Sequence, residues 1–376
     1  MTLRLEVVSE LSLRPDVVLA WEELFVDTPS LVEGLDPTNG PIWFGALRQS
    51  FDEAQQARLL VLHEGSEIVG LLPLVAEAGN SGHLLVASEL YGGRNGFLLR
   101  RQDPALLAEL ISGVSQCFAK WTVLRLMLVR GSPSAALLTQ AKRLIGVRTI
   151  EEPGWESPFF PLLSDGKLFD GDMSKGLKQT MRTASNKLGL LGKLRWTSIS
   201  SESHDEELLR DVLDIERGSW KHEAGTAITN SPTQEKFYRA LFPAALQGGL
   251  LAGMILYLNE RPIAHNFGLR RGPTYCCLKH SNLQEYQSLS PSQLLNAQLI
   301  QVLRSQGVET YDFMGKSEPH KLKWSKNTGA YARDSIWLYA PGAAGGLLHR
   351  WHRWKRYARS QKHRWIAPKE VEHGRD

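Results

Sequence analysis

Four consecutive residues, Ser290-Pro291-Ser292-Gln293, open an apolar-striped run and have the make-up of a helix start. Ser290 is a good N-cap, its hydroxyl able to accept from an otherwise orphan backbone N–H. Pro291 suits the first helical position, where its missing N–H costs nothing. Leu295, Leu299, Val302 and Leu303 then recur at i, i+4, i+7 and i+8, one apolar face, until Gly307 stops the helix. Strands are expected on both sides, at Thr274–Lys279 and at Tyr311–Met314, the second closed by Gly315. A helix N-terminus leaving a tight polar loop presents free N–H groups and a positive dipole end, so it suits a phosphate. The dipole is worth only about 0.3–1 kcal/mol at an exposed site, enough to orient an anion but not to capture one.

Other residues offer acid–base chemistry. His265, in a strand between Ala264 and Asn266, has an unperturbed pKa near neutrality and reads either as a general base or as a hydrogen-bonded core histidine. Glu216 and Trp220 stand four apart in a helix expected from Glu206 to Trp220, so they share a face. Lys175, Lys178 and Arg182 share a face of a helix from Ser174 to Leu188 and either touch a nucleotide phosphate or are simply solvated. The run Gly92-Gly93-Arg94-Asn95-Gly96 lacks the spacing of a dinucleotide fingerprint and reads as a turn. Cys117, Cys276 and Cys277 form no disulfide framework and no C-x-x-C pair, so no metal is expected. Cys276 and Cys277, adjacent in a strand, point to opposite faces. A reducing cytoplasm is the simplest home.

The elements around these residues fill 376 residues, which at ~150 residues per domain is two or three domains. The 42% hydrophobic and 22% charged content is ordinary for a globular chain. No run nears the ~18 apolar residues of a spanning helix, Met1–Glu6 lacks a signal-peptide pattern, and a net charge of +4 is too small to argue for nucleic acid. In the first half, near-continuous apolar strands at Leu59–His63 and Ile68–Leu74 imply burial on both faces. Helices from Pro104 to Lys120 and Pro133 to Ile145 flank a strand at Thr122–Leu128. A last strand at Val147–Ile150 precedes a crossing segment, Pro153–Pro161. The second half repeats the order of helices, a meander, then strand–helix–strand, and ends on a strand at Ser335–Tyr339. The expected fold is α/β, two domains with mixed central sheets flanked by helices, at 1–165 and 166–340, plus a tail at 341–376. Between His349 and Trp365 the tail carries seven Lys/Arg and no acid, with Trp351, Trp354, Ala358, Gln361 and Trp365 on one helical stripe. It either docks that stripe onto the domains, lies on an anionic membrane surface, or grips nucleic-acid backbone.

The repeated order, with Trp43 and Gly70-Leu71-Leu72-Pro73-Leu74 in the first half, resembles the GNAT acyltransferase superfamily. The more specific strings are Ser219-Trp220-Lys221 with Ala224-Gly225-Thr226-Ala227, and Asp312-Phe313 with Gly315, Lys321 and Trp324; Pro262-Ile263-Ala264, Lys279 and Ser290-Pro291 accompany them. They are similar to CelD-type, cellulose-biosynthesis-like acetyltransferases, over roughly Trp43 to Tyr339, in a tandem layout like that of Fem-type peptidyltransferases. The family usually has Gly where this chain has Ser292, and an acidic residue where it has Asn282.

The resemblance implies transfer of an acyl group from acyl-CoA, such as acetyl-CoA, to an amine or hydroxyl of a sugar, polysaccharide precursor or other small metabolite. In a GNAT fold the strands flanking the phosphate loop splay apart and the acyl group lies between them. Lys279 and His280 then stand near one wall, and Tyr311, Asp312 and Phe313 near the other. Such chemistry needs a base, an oxyanion donor and an acid for the leaving thiolate. Asp312 or Glu216 is the base and Tyr311 the acid, unless Asp312 only anchors the turn before Gly315. Lys279, Ser290, Pro291, Ser292 and Gln293 are the expected donor-binding set. Trp220, Lys221, His265, Lys321 and Trp324 are the expected acceptor-binding set. The alternatives are a Fem-like transferase using aminoacyl-tRNA, the one case in which nucleic acid is a partner, and a non-catalytic binding protein on the same fold.

Overall fold

The computed structural model describes residues 2–8, 14–27, 36–51, 57–77, 79–94, 96–162, 173–199, 205–325 and 327–366. The first half runs β1 (Leu3–Val8), α1 (Pro15–Asp27), α2 (Pro41–Ser50), β2 (Ala57–Glu64), β3 (Glu67–Glu77), β4 (Asn80–Val86), β5 (Leu98–Leu99), α3 (Pro104–Ser112), α4 (Val114–Cys117), β6 (Val123–Val129), α5 (Pro133–Ile145) and β7 (Arg148–Pro161). The second half runs α6 (Lys175–Leu191), β8 (Leu194–Ile199), α7 (Asp205–Arg217), α8 (Trp220–Glu223), α9 (Pro232–Gln247), β9 (Leu251–Leu258), β10 (Arg261–Arg271), β11 (Thr274–Asn282), α10 (Pro291–Ser305), β12 (Thr310–Asp312) and β13 (Gly329–Tyr339). The tail is helix α11 (Ala343–Ile366).

The two expected sheets are merged into one. Its order is β1-β2-β3-β4-β6-β13-β7-β12-β11-β10-β9-β8, with β5 added beside β3. Only β4·β6 and β11·β12 are parallel among the described strands, one such pair in each half. Parallel neighbours need a crossover, which α3 supplies in the first half and α10 in the second. The segment expected to cross as Pro153–Pro161 is the seam itself. It continues the strand begun at Arg148, lying against β13 as far as Phe159 and against β12 through Phe159–Pro161. β13, from the second half of the sequence, sits between β6 and β7 of the first.

Burial follows that topology. One apolar core runs under both halves, joining Trp21, Trp43 and Phe44 to Phe237, Tyr238 and Phe242. The Trp43 ring meets Phe237 edge-on at 4.9 Å, so α2 and α9 close the halves together. The opposite face carries separate cores under α3 and α5 and under α6 and α10.

Two helices differ from the sequence expectation. The run from Pro104 breaks at Gly113, where a Cβ would meet Leu5 Cδ1 at 2.5 Å. The helix expected to reach Trp220 ends at Arg217; Ser219 is extended (φ −96°, ψ 159°) and starts α8. Gly218, at that break, lets Leu283 pack close, since a Cβ there would stand 2.6 Å from Leu283 Cδ2. Glu216 and Trp220 therefore do not share a face: the carboxylate is fully buried and the indole is 44% exposed.

Candidate active site

β11 and β12 pair only through Thr274–Cys276 and Thr310–Asp312. Beyond that register β11 continues along β10 to Asn282, whereas Met314 turns into the left-handed region (φ 55°). Asp312 Oδ1 accepts the Met314 N–H at 2.7 Å and pins the turn. The strands part and leave a cleft of about 290 Å³. Cys277, Lys279 and His280 line one wall, Phe313, Met314 and Gly315 the other, and Lys221, Lys321 and Tyr91 close the ends.

The lining is cationic. The Lys221 ammonium donates to the His280 carbonyl and so ties α8 to β11. Lys321 Nζ donates to the Lys316 carbonyl at 2.6 Å and pairs with Glu318 at 3.1 Å. Gly315 lies close by: a Cβ there would stand 2.9 Å from that nitrogen. Burial lowers the Lys279 pKa; Glu216 opposes this and Lys221 adds to it. Burial, then Lys221 and His320, hold His280 well below the usual histidine range, so its imidazole is neutral at neutral pH. Burial raises the Cys277 thiol, which stays protonated.

Of the expected site residues, Lys221, Lys279 and Lys321 come together here, and the three proposed acid–base residues do not line the cleft. Asp312 is fully buried and accepts from Arg94 at 2.7 Å and from the Tyr331 hydroxyl at 3.1 Å, besides the Met314 amide. It is the anchor of the turn, with every donor on it internal. Tyr311 is fully buried; its hydroxyl accepts from Asn266 Nδ2 at 3.0 Å and donates to Asn296 at 3.4 Å. Burial raises its pKa well above the usual value, which suits a structural hydroxyl. Glu216 lies behind Lys279, accepting from the Ile228 N–H at 2.9 Å and from His265 Nε2 at 3.1 Å. Burial pushes Glu216 upward, but His265, Lys221 and that backbone N–H prevail and hold it down at about 2. His265 is fully buried and neutral, because desolvation outweighs the pull of Glu216. It is a core histidine, and Trp324, 3% exposed, is a core tryptophan.

The helix start at Ser290 also differs in detail. A six-residue 3-10 helix, Gln284–Leu289, replaces the tight loop, and Ser290 sits in the left-handed region (φ 54°, ψ 45°) with no side-chain cap bond. Its N–H donates to the Gln287 carbonyl and the Gln293 N–H to the Ser290 carbonyl, each at 3.1 Å. Pro291 has none to give. The Ser292 hydroxyl donates to Asn282 Oδ1 at 2.6 Å, so the two residues that depart from the family pattern are partners. Beside this start, α6 closes a recess of about 190 Å³ lined by Gln179, Thr180, Thr183, Lys187, Ser288 and Ser290. Hydroxyls, an amide and an ammonium make a donor set that fits a phosphate.

A parallel pair joined by a helical crossover occurs once in each half, in the second half the pair parts near a helix N-terminus, and the sequence agrees with that architecture. Residues 175–322 match the family model for the acetyltransferase (GNAT) domain. The fold is a tandem GNAT fold. It is similar to the crystal structure of FemX (TM-score 0.58, 11% identity, 88% of this chain and 96% of that one covered). It is similar also to a tandem GNAT protein from the clavulanic acid biosynthesis pathway (0.53, 14%, 91% and 100%), and to L-PGS from Bacillus licheniformis (0.53, 12%, 85% and 90%). At these identities the likeness is one of fold. No curated protein matches the sequence.

Two parts of this candidate site escape sequence reasoning. Lys187, Thr180 and Thr183 lie on the expected basic helix, but on a different face from Lys175, Lys178 and Arg182; only the packing of α6 on α10 selects it. Arg94, in the glycine-rich turn, bridges Asp36 at 2.5 Å and Asp312 at 2.7 Å across the two halves. Gly93 makes the approach possible, since a Cβ there would fall 1.9 Å from the Ser88 carbonyl oxygen.

Proposed function

We propose that the protein is an N- or O-acyltransferase that works in the cleft between β11 and β12. The observation that carries this reading is the parting of those strands with Lys279 and a neutral His280 on one wall and Lys221 and Lys321 at the ends. Ammonium groups at such a place stabilise negative charge that develops on a reacting carbonyl, and they attract an acceptor bearing a carboxylate or phosphate. His280 is the uncharged imidazole in the lining and the base we assign to the acceptor's proton. Glu216, behind Lys279, holds the local charge in balance.

The donor we propose is an acyl-CoA, which when bound supplies an activated acyl group. Lys187, Thr180, Thr183, Ser288 and the Ser292 backbone would hold its phosphates. The acceptor class is a sugar, polysaccharide precursor or similar metabolite, in keeping with the CelD-type strings. One observation favours a second reading: the amides of Ser290 and Gln293 are engaged within the chain, so a donor with no pyrophosphate to seat, an aminoacyl-tRNA of the Fem-like kind, also suits this loop. Calorimetric titration with coenzyme A, with Lys187→Ala as control, tests the donor. Thiol release from acetyl-CoA over amino sugars and sugar phosphates tests the chemistry. Heat that weakens in Lys187→Ala supports acyl-CoA. No heat and no thiol release, with transfer from aminoacyl-tRNA instead, selects the second reading; no transfer from either refutes both.

A further inference from the structure

α11 docks by a side other than its tryptophan stripe. His352 Nδ1 lies 2.6 Å from the Tyr339 hydroxyl, and its ring meets Trp337 edge-on at 5.3 Å. His349 meets Tyr339 at 5.0 Å, Leu348 packs on the same small core, and Arg356 reaches Glu152 at 3.5 Å. The expected docking of Trp351 and Trp354 is thereby overturned: two histidines and a leucine already fill the contact with β7 and β13. Leu347, Trp351, Trp354 and Tyr357 are instead 65, 46, 63 and 64% exposed. The side chains of Arg359, Gln361, Lys362, Arg364 and Trp365 lie outside the described residues.

Leu347, Trp351 and Trp354 stand at i, i+4 and i+7, so they form one face. Arg350 and Arg353 border it on one side. Lys355 borders it on the other, its ammonium 3.5 Å over the Trp351 ring. Residues 343–366 include no Asp or Glu. An apolar aromatic face edged by cations on a helix about 36 Å long is the form that lies in the plane of a bilayer, its rings at the acyl boundary and its cations among headgroups. A second copy of this face would bring cations against cations. Nucleic-acid backbone would leave Leu347 without use.

We propose that α11 seats the protein on an anionic lipid surface through Leu347, Trp351 and Trp354, with Arg350, Arg353 and Lys355 on the headgroups. No helix among the described residues is long and apolar enough to cross a membrane, so the contact is peripheral. The test is co-sedimentation of the full chain with vesicles of phosphatidylcholine alone, or with about a quarter phosphatidylglycerol, at roughly 0.1 M salt. The wild-type chain is expected to bind the anionic vesicles about tenfold or more tightly than the neutral ones. Trp351→Ala/Trp354→Ala and Arg350→Glu/Arg353→Glu are each expected to lose about tenfold or more of that affinity. All four side chains are exposed, so thermal melting monitors that both variants stay folded. Equal pelleting with both vesicle types overturns the proposal, as do variants that bind like the wild type. Gel retardation of tRNA, or a concentration-dependent dimer, that depends on the same residues without vesicle binding also overturns it.

Discussion

Replacing Arg94 by methionine tests whether the two halves form one unit beneath the cleft. The guanidinium is 5% exposed and bridges a carboxylate from each half, Asp36 at 2.5 Å and Asp312 at 2.7 Å. It also lies 5.1 Å from the Tyr331 ring. Methionine keeps much of the length and removes the charge, leaving two buried carboxylates without their cation. Breaking a buried pair from one side costs about 3–5 kcal/mol. The lower end applies here, because Asp36 keeps the Thr38 N–H and hydroxyl at 3.0 and 2.7 Å, and Asp312 keeps Met314 and Tyr331. With a urea slope of roughly 3 kcal/mol per M, the midpoint falls by on the order of 1 M. Urea unfolding followed by both far-UV circular dichroism and tryptophan fluorescence measures it; coincident curves establish a single transition. Adding Asp312→Asn should recover at least about 1 kcal/mol by removing one stranded charge. A loss under about 1 kcal/mol for Arg94→Met, or no recovery in the double variant, refutes the reasoning.

Further outcomes are expected. Glu216, held at about 2 in the folded chain against 4.5 unfolded, contributes roughly 3 kcal/mol of stability that is present above pH 4.5 and lost as pH falls toward 2; acid titration of Glu216→Gln should lack that slope, and an unchanged slope would assign it elsewhere. His280 is held neutral well below the usual histidine range, so as the base it should make kcat/KM fall only on the acid side, at a pH below that of an ordinary histidine. That limb should vanish in His280→Gln; its persistence would remove His280 from the role. Lys279→Met should lower kcat/KM by about tenfold or more, near 1.4 kcal/mol, with little change in Tm; an equal loss of stability would make the lysine structural. Gly93→Ala should destabilise by about 1–3 kcal/mol, as read from the urea midpoint, because its Cβ would fall 1.9 Å from a backbone oxygen; an unchanged midpoint would mean that the loop is free to shift.

Local pattern by itself determined the strand–helix–strand around α10, because Pro291, the leucine stripe and Gly307 act on their immediate neighbours. It determined the buried meanders too, through their continuous apolar runs, and it placed Lys221, Lys279 and Lys321 on strings within the stretch that matches the GNAT domain model. Partners distant in sequence decided the rest. Asp312, Tyr311 and Glu216 have the residue types for catalysis, but Arg94, Asn266 and His265 claim them, and no local signal announces a contact 218 residues away. The same holds for β13, whose alternation fits either half until β6 and β7 offer it two free edges. It holds for α11, where only the docked histidines reveal which side of the helix is left for a partner. Periodicity says that a helix has faces; what each face meets is set by the free energy of packing the whole chain.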